Sequence, residues 1–192
     1  MGENVEKQIS NAASFVANFF EYPRVAIAFE PYSKARFGNE LCPTITNGNL
    51  ITFNTAWIES GDPNSDDIPF FLIHELRHVY QHDQVKKLEA GEVTTEAKTV
   101  VEKWKHDWEH YINNLGDPIS RGKNIRQEIE MDANGYAMAV LYLMHMNEGN
   151  WSPMIRMEED QFDLSFARAQ QYLNSKPELN VWIRSHQKKK GN

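Results

Sequence analysis

The sequence predicts an α+β fold, and three observations carry that expectation. Two β-rich runs, Leu41–Thr46 and Leu50–Trp57, flank the turn Asn47-Gly48-Asn49 and read as a hairpin. From Ile68 onward the apolar residues recur at helical spacing instead. An apolar content of 41% over 192 residues is enough to bury one sizeable core, and no linker divides the chain. A single domain over residues 1–192 is expected, with about 95–115 as a helical insertion and 186–192 as a frayed tail.

The elements follow in order. Val5–Phe20 sets Ile9, Ala12, Ala13, Val16, Phe19 and Phe20 at helical spacing. After Pro23, Val25, Ile27 and Phe29 alternate, so Arg24–Phe29 reads as a strand. Beyond the hairpin, the loop from Gly61 to Asp67 offers aspartates to cap a helix from about Ile68 to Leu88, and Pro69 suits its first turn. A second helix, Thr95–Leu115, carries the stripe Ala97, Val100, Val101, Trp104, Trp108, Tyr111 and Leu115, and Gly116-Asp117-Pro118 ends it. The third, from about Asn124 to Met146, is polar for two turns and then apolar almost all round, as a central buried helix would be. Asp160–Leu173 forms one more helix before Pro177 breaks the pattern.

Charge and cysteine usage narrow the function. The 20 basic against 27 acidic residues leave a formal charge of −7, which disfavours nucleic-acid phosphate and anionic lipid as partners. The single cysteine, Cys42, excludes an intramolecular disulfide and a cysteine-ligated zinc ribbon. The start Met1–Glu6 lacks the basic and apolar regions of a signal peptide, so a cytoplasmic protein with a reduced thiol is expected.

The chemistry concentrates on the first long helix. Ile73-His74-Glu75-Leu76-Arg77-His78 contains His-Glu-x-x-His. Residues four apart on a helix lie about 40° apart around the axis and one turn along it, so His74 and His78 can aim two imidazoles at one tetrahedral Zn²⁺. Glu75 sits about 100° round from His74, where its carboxylate can take a proton from the water the metal activates. Leu72, Leu76, Val79 and Tyr80 cluster on the opposite side, which gives a core-facing back and a cleft-facing front. Gln81 and Gln84 stand where the extended metzincin pattern needs Gly and His, so that class is excluded. His82, about 12 Å of rise beyond His74, is too far to share its ion and is expected at the rim.

A catalytic zinc site needs a third protein ligand. In Arg126–Ala133, Glu128 and Asp132 lie four apart on one face, which Gly135 and Ala139 continue as small residues able to approach the histidine helix. Glu128 is therefore the expected ligand, and Asp132 is expected to accept the far ring N–H of a ligand histidine. Glu130 points roughly opposite to Glu128 and reads as an ordinary first-turn carboxylate.

With these residues the chain resembles the gluzincin metallopeptidases, in which His-Glu-x-x-His is followed by Glu-x-x-x-Asp on a later helix. The string Glu128-Ile129-Glu130-Met131-Asp132-Ala133-Asn134-Gly135-Tyr136-Ala137 is most similar to the Glu-x-Glu-Ala-Asp/Asn-x-x-x-Ala segment of the ImmA/IrrE group and of HtpX-like peptidases, with Met131 in place of Ala. The resemblance covers about half the chain. It implies that Glu128 is the ligand and that the strand before the histidine helix, here Leu50–Trp57, lines the cleft and pairs with extended substrate. The spacer from His78 to Glu128 holds an additional helix that matches no family pattern.

The expectation is a zincin-like domain: a small twisted, mainly antiparallel sheet packed on the two metal-bearing helices, with further helices around it. Its function would be zinc-dependent hydrolysis of a peptide or protein substrate, with Glu75 as general base. The alternative is a non-catalytic metal-binding or regulatory module that recognises a protein partner, in a phage or toxin–antitoxin setting. Tyr136, Tyr111, His110 and Arg77 are the candidates for transition-state or substrate contacts. His106 and His110 project away from the aromatic stripe and read as solvated surface.

Overall fold

A computed structural model describes residues 9, 25–38, 40, 42–61, 66–114, 116–145 and 158–175. The expected N-terminal helix over 5–20 lies outside these, except for Ile9, which is helical and buried against the sheet. The tail at 186–192 lies outside them as well. In chain order the described elements are β1 (Ala26–Glu30), α1 (Lys34–Phe37), β2 (Thr44–Asn47), β3 (Leu50–Asn54), α2 (Thr55–Gly61), α3 (Asp67–Glu89), α4 (Lys98–Glu109), α5 (Pro118–Asn124), α6 (Glu128–His145) and α7 (Glu159–Ser175). The fold is α+β. None of the described helices is long and apolar enough to cross a membrane.

The hairpin forms as expected around Asn47-Gly48-Asn49. Asn47 pairs with Leu50, and Gly48 takes φ 62°, a conformation that glycine adopts without the steric cost a Cβ brings. The sheet is mixed rather than mainly antiparallel. Its order is β1-β3-β2, with β1 parallel to β3 and β2 antiparallel to it. The chain reaches this parallel register by passing through α1 and β2 before β3, a nonlocal pairing that no local pattern announces. Thus β3 is central and paired on both sides, whereas β2 is an edge strand among the described residues.

The strand β3 also stops earlier than its apolar run suggests. The Asn54 side chain accepts from the backbone N–H groups of Ala56 and Trp57, which starts α2 and draws Trp57 into a helix.

The helix α3, about 34 Å long at 1.5 Å per residue, runs against the sheet. Leu72, Leu76 and Val79 pack on Ile51 and Phe53, the apolar back that the sequence predicts. Its other side does not face an open cleft. His74, Glu75, Arg77, His78 and Gln81 are all buried, because α4 and α6 cover that flank. The expected third helix starts four residues later, at Glu128, and a short helix that the sequence does not announce, α5, precedes it. The small residue Gly135 faces α7 rather than α3; a Cβ there would lie 2.2 Å from Arg168 Cγ. The helix α6 is therefore held between α3 on one side and α7 on the other, with Phe70, Ile73, Ala137, Leu141 and Tyr172 among the core residues at those seams.

Candidate metal centre

One helical turn brings His74 and His78 together, with ring centroids 4.5 Å apart and planes at 88°. The carboxylate that meets them is that of Glu130. Its Oε2 lies 3.6 Å from His74 Nε2, and its Oε1 lies 3.6 Å from His78 Nε2. Among the described residues, His74, His78 and Glu130 form a buried group whose candidate ligand atoms all lie within 4.8 Å of one another. Such a group could hold a metal ion. A separation of 3.6 Å is too long for a hydrogen bond. It is close to the ~3.4 Å that two ligand atoms keep when each sits about 2.1 Å from one tetrahedral ion. The donor set of two imidazoles and one carboxylate suits a divalent ion of intermediate softness.

Glu128 is not in this group, which corrects the sequence expectation. It stands on the other side of α6, accepts from Arg168 Nη2 at 2.7 Å and is partly exposed. The reason is packing: the Gly135 face seats against α7, so Glu128 meets Arg168 and the face carrying Glu130 turns to α3. Asp132 is buried but accepts from no ligand histidine. It takes Arg77 Nε at 2.8 Å, Gln81 Nε2 at 2.8 Å and the Tyr172 hydroxyl. Burial raises its carboxyl pKa, but the charge and hydrogen bond of Arg77 outweigh that and hold it low.

The electrostatics of the cluster follow from burial and mutual charge. Burial, then the neighbouring His78, lower the pKa of His74. For His78 burial acts downward too, but the Glu130 charge prevails and holds the imidazole up at about 9. Burial likewise opposes ionisation of Glu130, yet His78 holds its carboxyl down at about 2. Without an ion the site is thus an imidazolium–carboxylate pair. His74 Nδ1 is buried without a partner at hydrogen-bond geometry among the described residues, although the Asn134 side chain, one turn beyond Glu130, is close enough to favour its charged form.

Glu75 lies at the edge of the sheet. Thr44 Oγ1 donates to its Oε1 at 2.8 Å and Thr46 Oγ1 donates to its Oε2 at 2.5 Å. Alternate residues of a strand share a face, so β2 offers both hydroxyls to the carboxylate. Glu75 acts electrostatically on His74, on His78 and on the Tyr111 phenol. Nearby, burial and then Glu75 push the Cys42 thiol up to about 12, and its Sγ donates to the Thr44 carbonyl. It is a protonated thiol, not a thiolate.

The other predicted contacts divide. Tyr111 reaches the cluster: its hydroxyl donates to Glu130 Oε1 at 2.7 Å and accepts from Asn124 Nδ2 at 3.1 Å. Burial and the Glu130 charge raise the Tyr111 pKa, so the phenol stays a donor. Tyr136 and Arg77 do not reach the cluster. The Arg77 guanidinium is buried over the rings of Tyr80, Trp104, Tyr136 and Tyr172, and it also pairs with Glu96. His110 is exposed beside His106, its Nδ1 2.9 Å from the His106 carbonyl. The aromatic stripe of α4 does more than fill the core, for Trp108 lies edge-on to His78 at 5.3 Å and between His82 and Tyr111. Burial, then His78, lower the pKa of His82 to about 4.

Gln81, Thr44 and Thr46 join the site without being part of the His-Glu-x-x-His pattern. Each has a signal: Gln81 follows His78 by one turn, and the threonines alternate on a strand. No family model, curated protein or solved structure matches the chain, so the centre is defined by its own geometry.

Proposed function

We propose that the protein is a metal-dependent peptidase of gluzincin type, in which His74, His78 and Glu130 hold Zn²⁺ and Glu75 is the general base. The observation that carries this reading is the convergence of His74 Nε2 and His78 Nε2 on the two oxygens of Glu130, each at 3.6 Å, on the same helix that bears Glu75. A divalent ion held there supplies Lewis acidity, polarising a carbonyl and acidifying a water.

The chain's own residues do the rest. Glu75 accepts the proton at a carboxylate oxygen and returns it to the leaving amine. Thr44 and Thr46 hold that carboxylate in one orientation while leaving it lone pairs for the proton transfer. Tyr111 orients Glu130 through its hydroxyl. An extended substrate would pair with the open edge of β2, since β3 already has a neighbour on each side. The zincin-like assignment of the fold belongs to the same proposal and rests on the edge strand lying beside the motif helix.

The test is a Glu75→Gln protein loaded with zinc. It is expected to bind the ion stoichiometrically and to lose cleavage of a peptide library that the wild type cuts. Cleavage by Glu75→Gln at the wild-type rate would refute the role of Glu75. A wild type that binds zinc and cuts no peptide would favour a non-catalytic metal-binding module.

A further inference from the structure

The Gln81 side chain is fully buried one turn beyond His78, and all of its hydrogen-bonding groups are engaged. Its Nε2 lies 3.0 Å from the Ile129 carbonyl and 2.8 Å from Asp132 Oδ2, and its Oε1 lies 2.8 Å from His78 Nδ1. The two partners of Nε2 act as acceptors, because one is a backbone carbonyl and the other is a carboxylate oxygen that already accepts from Arg77 Nε at 2.8 Å. Turning the amide over would set its oxygen against both acceptors. The orientation is therefore forced, and Oε1 must face His78. An amide oxygen only accepts, so His78 Nδ1 must carry a proton. Nε2, 3.6 Å from Glu130 Oε1, is then the nitrogen left to give up its proton and take a metal ion.

We propose that Gln81 is a positioning residue that locks His78 in the Nδ1–H tautomer and so presents Nε2 to the metal. The proposal rests on the metal-centre reading above. Asp132, fixed by Arg77 Nε and the Tyr172 hydroxyl, is the anchor behind it and acts on the histidine through the amide. This places Asp132 one residue further from the ion than the sequence suggests. It also explains why a neutral side chain serves here: a carboxylate at position 81 would face both Asp132 and the Ile129 carbonyl with no proton to offer.

The experiment uses zinc-loaded full-length protein. Long-range nitrogen–proton correlation spectra of the wild type are expected to give His78 a protonated Nδ1 and a metal-bound Nε2. Gln81→Leu, which keeps the bulk and removes both the acceptor and the donors, is expected to weaken zinc binding about ten- to hundredfold and to expose the His78 Nδ1 proton to rapid exchange. Where Gln81→Leu does not fold, Gln81→Met takes its place, and the wild-type spectrum decides the tautomer without any variant. A His78 bound to zinc through Nδ1 overturns the proposal, as does a folded variant with wild-type affinity and an unchanged His78 spectrum. A wild type that binds no zinc overturns the metal-centre reading itself, an outcome distinct from either of these.

Discussion

Replacing Glu130 by glutamine while testing Glu128→Gln beside it separates two carboxylates only two residues apart. Glu130 approaches both imidazoles at 3.6 Å, whereas Glu128 pairs with Arg168 at the opposite side of α6. A structural zinc site binds with about 10–16 kcal/mol shared among four ligands, so one ligand carries about 3 kcal/mol, or roughly a hundredfold in affinity. Glu130→Gln is therefore expected to weaken zinc at least that much. Glu128→Gln removes only a partly exposed ion pair, worth about 0–1 kcal/mol of stability, and leaves zinc affinity unchanged. Competition against a chromophoric chelator reads both constants, and a urea titration reads both stabilities. The reasoning fails if Glu128→Gln loses zinc while Glu130→Gln retains it, or if the two variants lose it equally.

Three further expectations test the surrounding structure. Gly135→Ala sets a Cβ 2.2 Å from Arg168 Cγ and 3.2 Å from the Arg168 backbone carbon, so α6 and α7 must part; a loss of about 1–3 kcal/mol should appear as a lower urea midpoint. Thr44→Val and Thr46→Val each remove a hydroxyl that holds Glu75; each should lower the cleavage rate about tenfold or more with zinc content unchanged, and an unchanged rate would count against the orienting role. His78 is held up at about 9 by Glu130, so below that pH a metal ion must displace its proton. Zinc affinity should then rise about tenfold per pH unit up to about 9, with proton release in calorimetry near neutral pH. The ion-free protein has the stability of this pair in full between about 4.5 and 6.5, loses it as pH rises through about 9 and loses it again as pH falls through about 2.

The legible part of the site was the part encoded within one helix. The spacing of His74, Glu75 and His78 is enough to set two imidazoles and a carboxylate around one face, and Leu72, Leu76 and Val79 mark the opposite side. The third carboxylate was a different kind of question. Glu128 and Glu130 lie about 200° apart on α6, and which of them meets α3 depends on which side α7 packs. The small residue at Gly135 suggests a close approach to the histidine helix, but it accommodates Arg168. A stripe of small residues announces a close neighbour without naming it.

The sheet divides in the same way. Its hairpin is local and follows from Asn47-Gly48-Asn49, whereas the parallel pairing of β1 with β3 joins residues 24 apart in sequence, such as Ala26 and Leu50. That pairing puts β3 in the centre and moves the open edge to β2, where Thr44 and Thr46 meet Glu75. One local signal does mark the end of β3: an asparagine before Thr55 can cap a helix, and Asn54 does so, ending β3 before Trp57.

Anomalous scattering at the zinc edge from crystals grown with the ion tests the central claim most directly. The account predicts one ion bound by His74 Nε2, His78 Nε2 and Glu130, with the Glu75 carboxylate beside it on Thr44 and Thr46 and one coordination position free of protein atoms. An ion bound by Glu128, an ion closed in by a fourth protein ligand, or no ion between the two histidines would contradict it.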